Sequence, residues 1–234
     1  MLFQQYPQIK DGGPIYAETQ IPENLDNFII EPWNAFSSLA IAAPAVYFLW
    51  KIRKEPKKYG FLLWCIPLLF LNGIGSTLFH GFRASRIMLF MDFMPAILLT
   101  LSITIYFWAK VLPKWWMVFF AVGPVFAMRF AVFRLFEPPL SINLSYAIGG
   151  TAFLLPIVLI LRKSEFKKAW EIILSIICFI LAIYFRGADE EYTHVVAFGT
   201  HFLWHIFTGI GAFLLADYLY FLRKKELASL ETSA

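Results

Sequence analysis

Seven apolar runs of about 20 residues, separated by short polar links, constrain this chain more than any other feature. They lie at 33–51, 60–80, 88–109, 115–135, 143–161, 168–186 and 198–221. A helix rising ~1.5 Å per residue crosses a ~30 Å hydrocarbon core in about 20 residues. Lipid offers no partner to a backbone N–H or C=O, so such runs must satisfy their hydrogen bonds internally, as helices. The runs therefore predict an all-α integral membrane protein with a seven-transmembrane-helix bundle. Only 15% of the residues are charged, against about a quarter in a soluble domain. Prolines 44, 67, 95, 124 and 156 fall inside the runs, where membrane helices tolerate them. A polar segment, 1–32, is expected to precede the membrane domain at 33–221, and a tail, 222–234, to follow it. The first thirty residues have no apolar core, so no signal peptide is read there.

Lysine and arginine give the orientation. Fourteen of the 20 fall in the links after runs one, three and five and in the tail. Cationic links stay cytoplasmic, which places the C-terminus in the cytoplasm and the N-terminus outside or in a lumen. The net charge of +4 is accounted for by these membrane-edge clusters, and nucleic acid is not a partner. Cys65 and Cys178 lie deep in apolar runs and carry neither metal spacing nor a disulfide signal.

Against this apolar background the polar residues stand out, because an ionisable group inside a membrane is costly and usually functional. His201 and His205 sit four residues apart in HFLWH, on one helical face. His80 closes STLFH at the end of the second run. Following the runs back and forth across the bilayer brings His80, Ser76, Asp92, His201 and His205 to a similar depth on the outer side. Three imidazoles with an open fourth position match the ligand set of a catalytic zinc. Asp92 suits a general base, and Ser76 suits a hydroxyl that steadies an oxyanion or orients water. His194 reads as a solvated loop residue, and Asp217 as an anchor at a helix end. Trp204, between the two histidines, is a candidate wall of the substrate pocket. The stretch EPWNAFSSLA at 31–40 has two readings. Glu31 either favours the start of a helix through the dipole, or joins Glu18 in a calcium site.

Taken together, EPWNAFSSLA, STLFH, DFMP at 92–95 and HFLWH resemble the alkaline ceramidase family, in its order and over about residues 15–221. The wider superfamily includes adiponectin-type receptors and Per1-like lipid-remodelling proteins. The resemblance implies zinc held by His80, His201 and His205, with Ser76 and Asp92 assisting. It implies cleavage of the ceramide amide to a sphingoid base and a fatty acid, in a membrane-embedded enzyme whose substrate is a lipid. It also implies an N-terminal calcium site, for which Glu18 and Glu31 are the matching positions. There the sequence departs from the family: IYAETQ stands where a Trp/Cys-containing acidic run is expected. The compact loops and short tails resemble those of a bacterial inner-membrane protein more than an ER or Golgi one.

Two rival functions remain open on the residues alone. One is an ester-directed lipid hydrolase of the Per1 type. The other is a non-enzymatic lipid receptor with a structural zinc. Ser76 and Asp92 weigh against the receptor, since a closed structural site has no use for a base at its own depth. A transporter would call for inverted repeats and more intramembrane charge.

Overall fold

The computed structural model of the chain describes residues 9–137 and 140–232, without the side chains of 142 and 143. Residues 1–8 of the expected polar segment and 233–234 of the expected tail lie outside these. Among the described residues the structure is helical and contains no strand. A 3-10 turn at Glu18–Gln20 and the short α1 (Pro22–Leu25) lead into α2 (Pro32–Ser37) and α3 (Leu39–Ile52), which together form the first span. The others are α4 (Gly60–Phe82), α5 (Arg86–Val111), α6 (Val118–Leu135), α7 (Leu140–Lys163), α8 (Ala169–Gly187) and α9 (His201–Thr232). Among the described residues seven helical stretches are long and apolar enough to cross a membrane, in agreement with the seven runs. The five prolines lie inside α3, α4, α5, α6 and α7.

Two ends differ from expectation. The last helix begins at His201, not 198, because Gly199 takes a left-handed φ of 71° and the Asp189 carboxylate accepts the N–H groups of Thr200 and His201. It also runs on to Thr232, so residues 222–232 of the expected tail are helical.

The chain divides into two compact units, 1–97 with 170–234, and 98–169. In the first, α3 packs on α4 and on α9. Glycines permit this closeness. A Cβ on Gly73 would fall 2.5 Å from the Ala42 nitrogen, and one on Gly209 would fall 2.6 Å from the Ala40 carbonyl carbon. Apolar surface is as content in lipid as in protein, so membrane helices associate through close backbone approach and polar links. Lys51 on α3 donates to Asp217 on α9 at 2.8 Å, the anchoring role expected of Asp217. Ser175 on α8 donates to the Gly211 carbonyl of α9 at 2.9 Å.

In the second unit α6 packs on α7, where Arg129 donates to Ser145 at 2.8 Å. Many large apolar side chains of α6 face outward, among them Phe119, Phe120, Phe130 and Phe133. Lipid accommodates such a surface. Both cysteines are free.

The packing generates a test. Gly73→Val and Gly209→Val must each push α3 away from its neighbour, at a cost of about 1–3 kcal/mol. Each is expected to lower the thermal unfolding midpoint in detergent. Gly60→Val, whose Cβ would meet nothing within 4 Å, serves as the control and is expected to change the midpoint far less.

Candidate metal centre

The first unit brings the three histidines together. One ring nitrogen from each of His80, His201 and His205 lies within 4.8 Å of the others, and all three side chains are buried. Ring centroids are 4.9 Å apart for His80 and His205, and 4.8 Å for His201 and His205. Helix geometry supplies the second pair, since residues four apart lie one turn apart on one face. His80 comes from the last turn of α4, and α3 packs against both α4 and α9.

Neighbouring groups orient the rings. Glu31 Oε2 receives His80 Nδ1, and the Ser37 hydroxyl lies 2.8 Å from His205 Nδ1. A proton on each of these Nδ1 atoms leaves both Nε2 atoms as acceptors, the form a metal needs. His201 Nδ1 is buried without a hydrogen-bond partner among the described residues. A buried, unpartnered imidazole nitrogen beside two oriented ones suits an absent ligand rather than a packed core. Three converging neutral imidazoles therefore fit a metal ion of the zinc type.

Ser76 and Asp92 lie next to each other and near His80. Ser76 is fully buried and accepts a hydrogen bond from Ser38 at 3.0 Å. The half-buried Asp92 carboxylate faces the Ser76 hydroxyl and feels the His80 ring. Asn72 holds the Asp92 carbonyl, which ties α5 to α4 at this level. Gly75 permits the approach, because a Cβ there would collide with the Met91 carbonyl. Trp204 is half-buried on α9, with the Arg186 guanidinium 5.1 Å from its ring centroid. His194 is an exposed loop residue whose ring bonds the Glu191 carbonyl, as expected.

The carboxylates of Glu18 and Glu31, the positions expected for calcium, meet protein donors. Glu18 accepts the N–H groups of Trp33 at 2.7 Å and Asn34 at 2.9 Å, capping α2. Burial pushes its carboxyl up to about 7, against the pull of these two N–H groups. Glu31 receives four donors: Thr19 Oγ1, Arg83 Nη1, His80 Nδ1 and Asn34 Nδ2. A carboxylate has about four lone-pair sites, so Glu31 is saturated. Burial raises its carboxyl, and the His80 ring, the Arg83 guanidinium and the Thr19 hydroxyl beside it more than offset this, holding it at about 2. A hard cation would have to displace these donors.

Several neighbours of the cluster escape sequence reading. Tyr16 stacks on His201 with centroids 3.9 Å apart and lies 5.1 Å from the His80 ring. Burial raises its phenol, which stays protonated. Asp189 ties Ala17 N–H to the start of α9. Asp11, Tyr16 and Thr19 lie in a polar segment with no periodicity, and Arg83 sits among charges that report orientation. Ser37 and Ser38 were within reach: they follow Asn34 by three and four residues, on one face of a stretch already singled out.

Removing the charge that orients His80 should weaken metal binding. Glu31→Gln is expected to reduce zinc affinity by about 10–100-fold. Competition with a chromophoric chelator measures this directly.

The ceramidase family model matches residues 24–231, nearly the whole chain. No curated protein matches the chain.

Proposed function

The chain belongs to the ceramidase family, and from that premise we propose that it is a zinc-dependent membrane amidohydrolase. Its substrate is ceramide or a related N-acyl lipid, cleaved to a sphingoid base and a fatty acid. The observation that carries this reading is the convergence of three buried histidines beside Ser76 and Asp92. The family match favours an amide over the ester of the Per1-like branch.

His80, His201 and His205 would hold the ion. When bound, zinc supplies Lewis-acid polarisation of a carbonyl and acidification of water. Asp92 takes the proton of the attacking water and returns it to the leaving nitrogen as the amide bond breaks. The proton so delivered makes the departing group a neutral amine. The buried Ser76 hydroxyl, fixed by Ser38, donates to the oxygen on which negative charge develops. Tyr16, packed on His201, keeps bulk water from that side of the ligands. Trp204, beside His205 on α9, lines the approach of the substrate. The lipid chains remain in the bilayer while the head group meets the histidines. We place the cluster on the external face of a bacterial inner membrane, with the cationic links and the C-terminus cytoplasmic.

The test combines metal content with hydrolysis on one purified sample. About one zinc per chain and chelator-sensitive release of fatty acid from a short-chain ceramide support the reading. Zinc with cleavage of ester lipids only would make it a remodelling enzyme. Zinc with no cleavage of either would make it a receptor or scaffold. His205→Ala is expected to abolish hydrolysis in a folded protein. Asp92→Asn is expected to lower kcat by about 10²–10⁴-fold, the usual worth of a general acid–base group, with zinc retained.

A further inference from the structure

We propose that Arg83 is a resident cation standing where a divalent ion would otherwise be needed. Through Glu31 it positions His80, and it holds the N-terminal segment against the metal centre. The inference rests on the metal reading above and adds a positioning residue that touches no reacting atom.

Backbone conformation is the first indication. Arg83 follows the last residue of α4 and adopts φ 46° and ψ 30°, the left-handed region. Helices commonly end in this conformation with glycine, which has no Cβ to strain. An arginine held there is explained by what its side chain does. The residue is 0% exposed, and its side chain is among the largest fully buried ones of the chain.

Donor accounting is the second. A guanidinium has five N–H donors and is charged at any accessible pH. Nε donates to Asp11 Oδ2 at 2.7 Å, and Nη2 to Asp11 Oδ1 at 3.1 Å and to the Pro14 carbonyl at 2.9 Å. Nη1 donates to Thr19 Oγ1 at 3.1 Å and to Glu31. Five donors meet five acceptors, drawn from the N-terminal segment and the edge of α2. The Arg83 carbonyl also accepts the Lys10 N–H at 3.1 Å. One residue thus gathers positions 10, 11, 14, 19 and 31.

The third is what the gathered residues touch. Glu31 passes from Arg83 on one oxygen to His80 Nδ1 on the other. Tyr16, between the gripped Pro14 and Thr19, is the residue stacked on His201. Carboxylates and carbonyls clustered beside a metal centre are the oxygen ligands a calcium ion would use. Here a tethered cation occupies them. A divalent ion would have to displace the guanidinium and leave it buried and unpaired, or share the carboxylates with it at like charge.

The experiment uses the full chain in detergent and three binding readouts. Equilibrium dialysis with radiolabelled calcium, up to about 1 mM, covers the weak end of protein calcium sites. Chelator competition gives zinc affinity. Cobalt substitution gives a visible spectrum sensitive to ligand geometry. Wild-type protein is expected to show no saturable calcium binding. Arg83→Gly suits the left-handed backbone yet removes the charge, so a purely structural role of the backbone would leave the metal untouched. It is expected to lose about 10–100-fold in zinc affinity and to shift the cobalt bands. Arg83→Lys restores charge without the fork and is expected to fall between the two. Where Arg83→Gly fails to fold, Asp11→Asn loosens the guanidinium instead, and a smaller loss with the same spectral shift is expected. Saturable calcium binding by the wild type overturns the proposal. So does wild-type zinc affinity and spectrum in Arg83→Gly, or in Asp11→Asn where that replaces it. A wild-type chain that takes up no zinc overturns the metal reading with it, whereas zinc-bound wild type with an unaffected variant overturns only the role of Arg83.

Discussion

A buried guanidinium between two carboxylates is the interaction that ties the surroundings of the histidine cluster together. Arg83 and Glu31 are both inaccessible to solvent, and each is tolerable there only because of the other. Taking a charge out of water costs several kcal/mol, and breaking a buried pair by removing one partner costs about 3–5 kcal/mol. That coupling joins three stretches that share no helix. Asp11 and Thr19 come from the N-terminal segment, Glu31 from the entry to α2, and Arg83 from the end of α4. His80 lies three residues before Arg83 and inherits its orientation from the same carboxylate.

Helix packing sets where this network can form. The histidines of α9 meet His80 of α4 because both helices pack on α3, which glycines at 73 and 209 bring close. The first turn of that span also contributes directly. Asn34 bonds Glu31, Ser37 bonds His205, and Ser38 bonds Ser76. Residues 31–38, α2 and the residues flanking it, therefore carry the partners of His80, His205 and Ser76. Its own start is fixed by Glu18, whose carboxylate faces the N–H groups of Trp33 and Asn34. A second carboxylate, Asp189, caps α9 at His201 and pins Ala17 in the same act. Gly199 makes this possible, since a Cβ there would fall 2.6 Å from that of Ala17.

The chemistry then follows from separation of roles. Histidines supply neutral donors, Glu31 keeps one of them in the right tautomer, and Ser76 and Asp92 stay apart from the ligand set. In the proposed mechanism a base outside the ligand set is free to move a proton.

Length and hydropathy were enough to determine the helices, because a lipid core admits one backbone solution to a 20-residue apolar run. Counting spans put His80, His201 and His205 at one level, and the structure brings the three rings together, since imidazoles stand out against an apolar background. Tertiary structure alone decided what surrounds that cluster. Asp11 and Arg83 meet across 72 residues of chain, and Tyr16 meets His201 from much farther away, so no local pattern marks such pairs. The role of Glu31 shows the difference most clearly. Its position before a helix made it visible, but its partners are chosen by folding, and four donors turn an apparent calcium ligand into the link between Arg83 and His80.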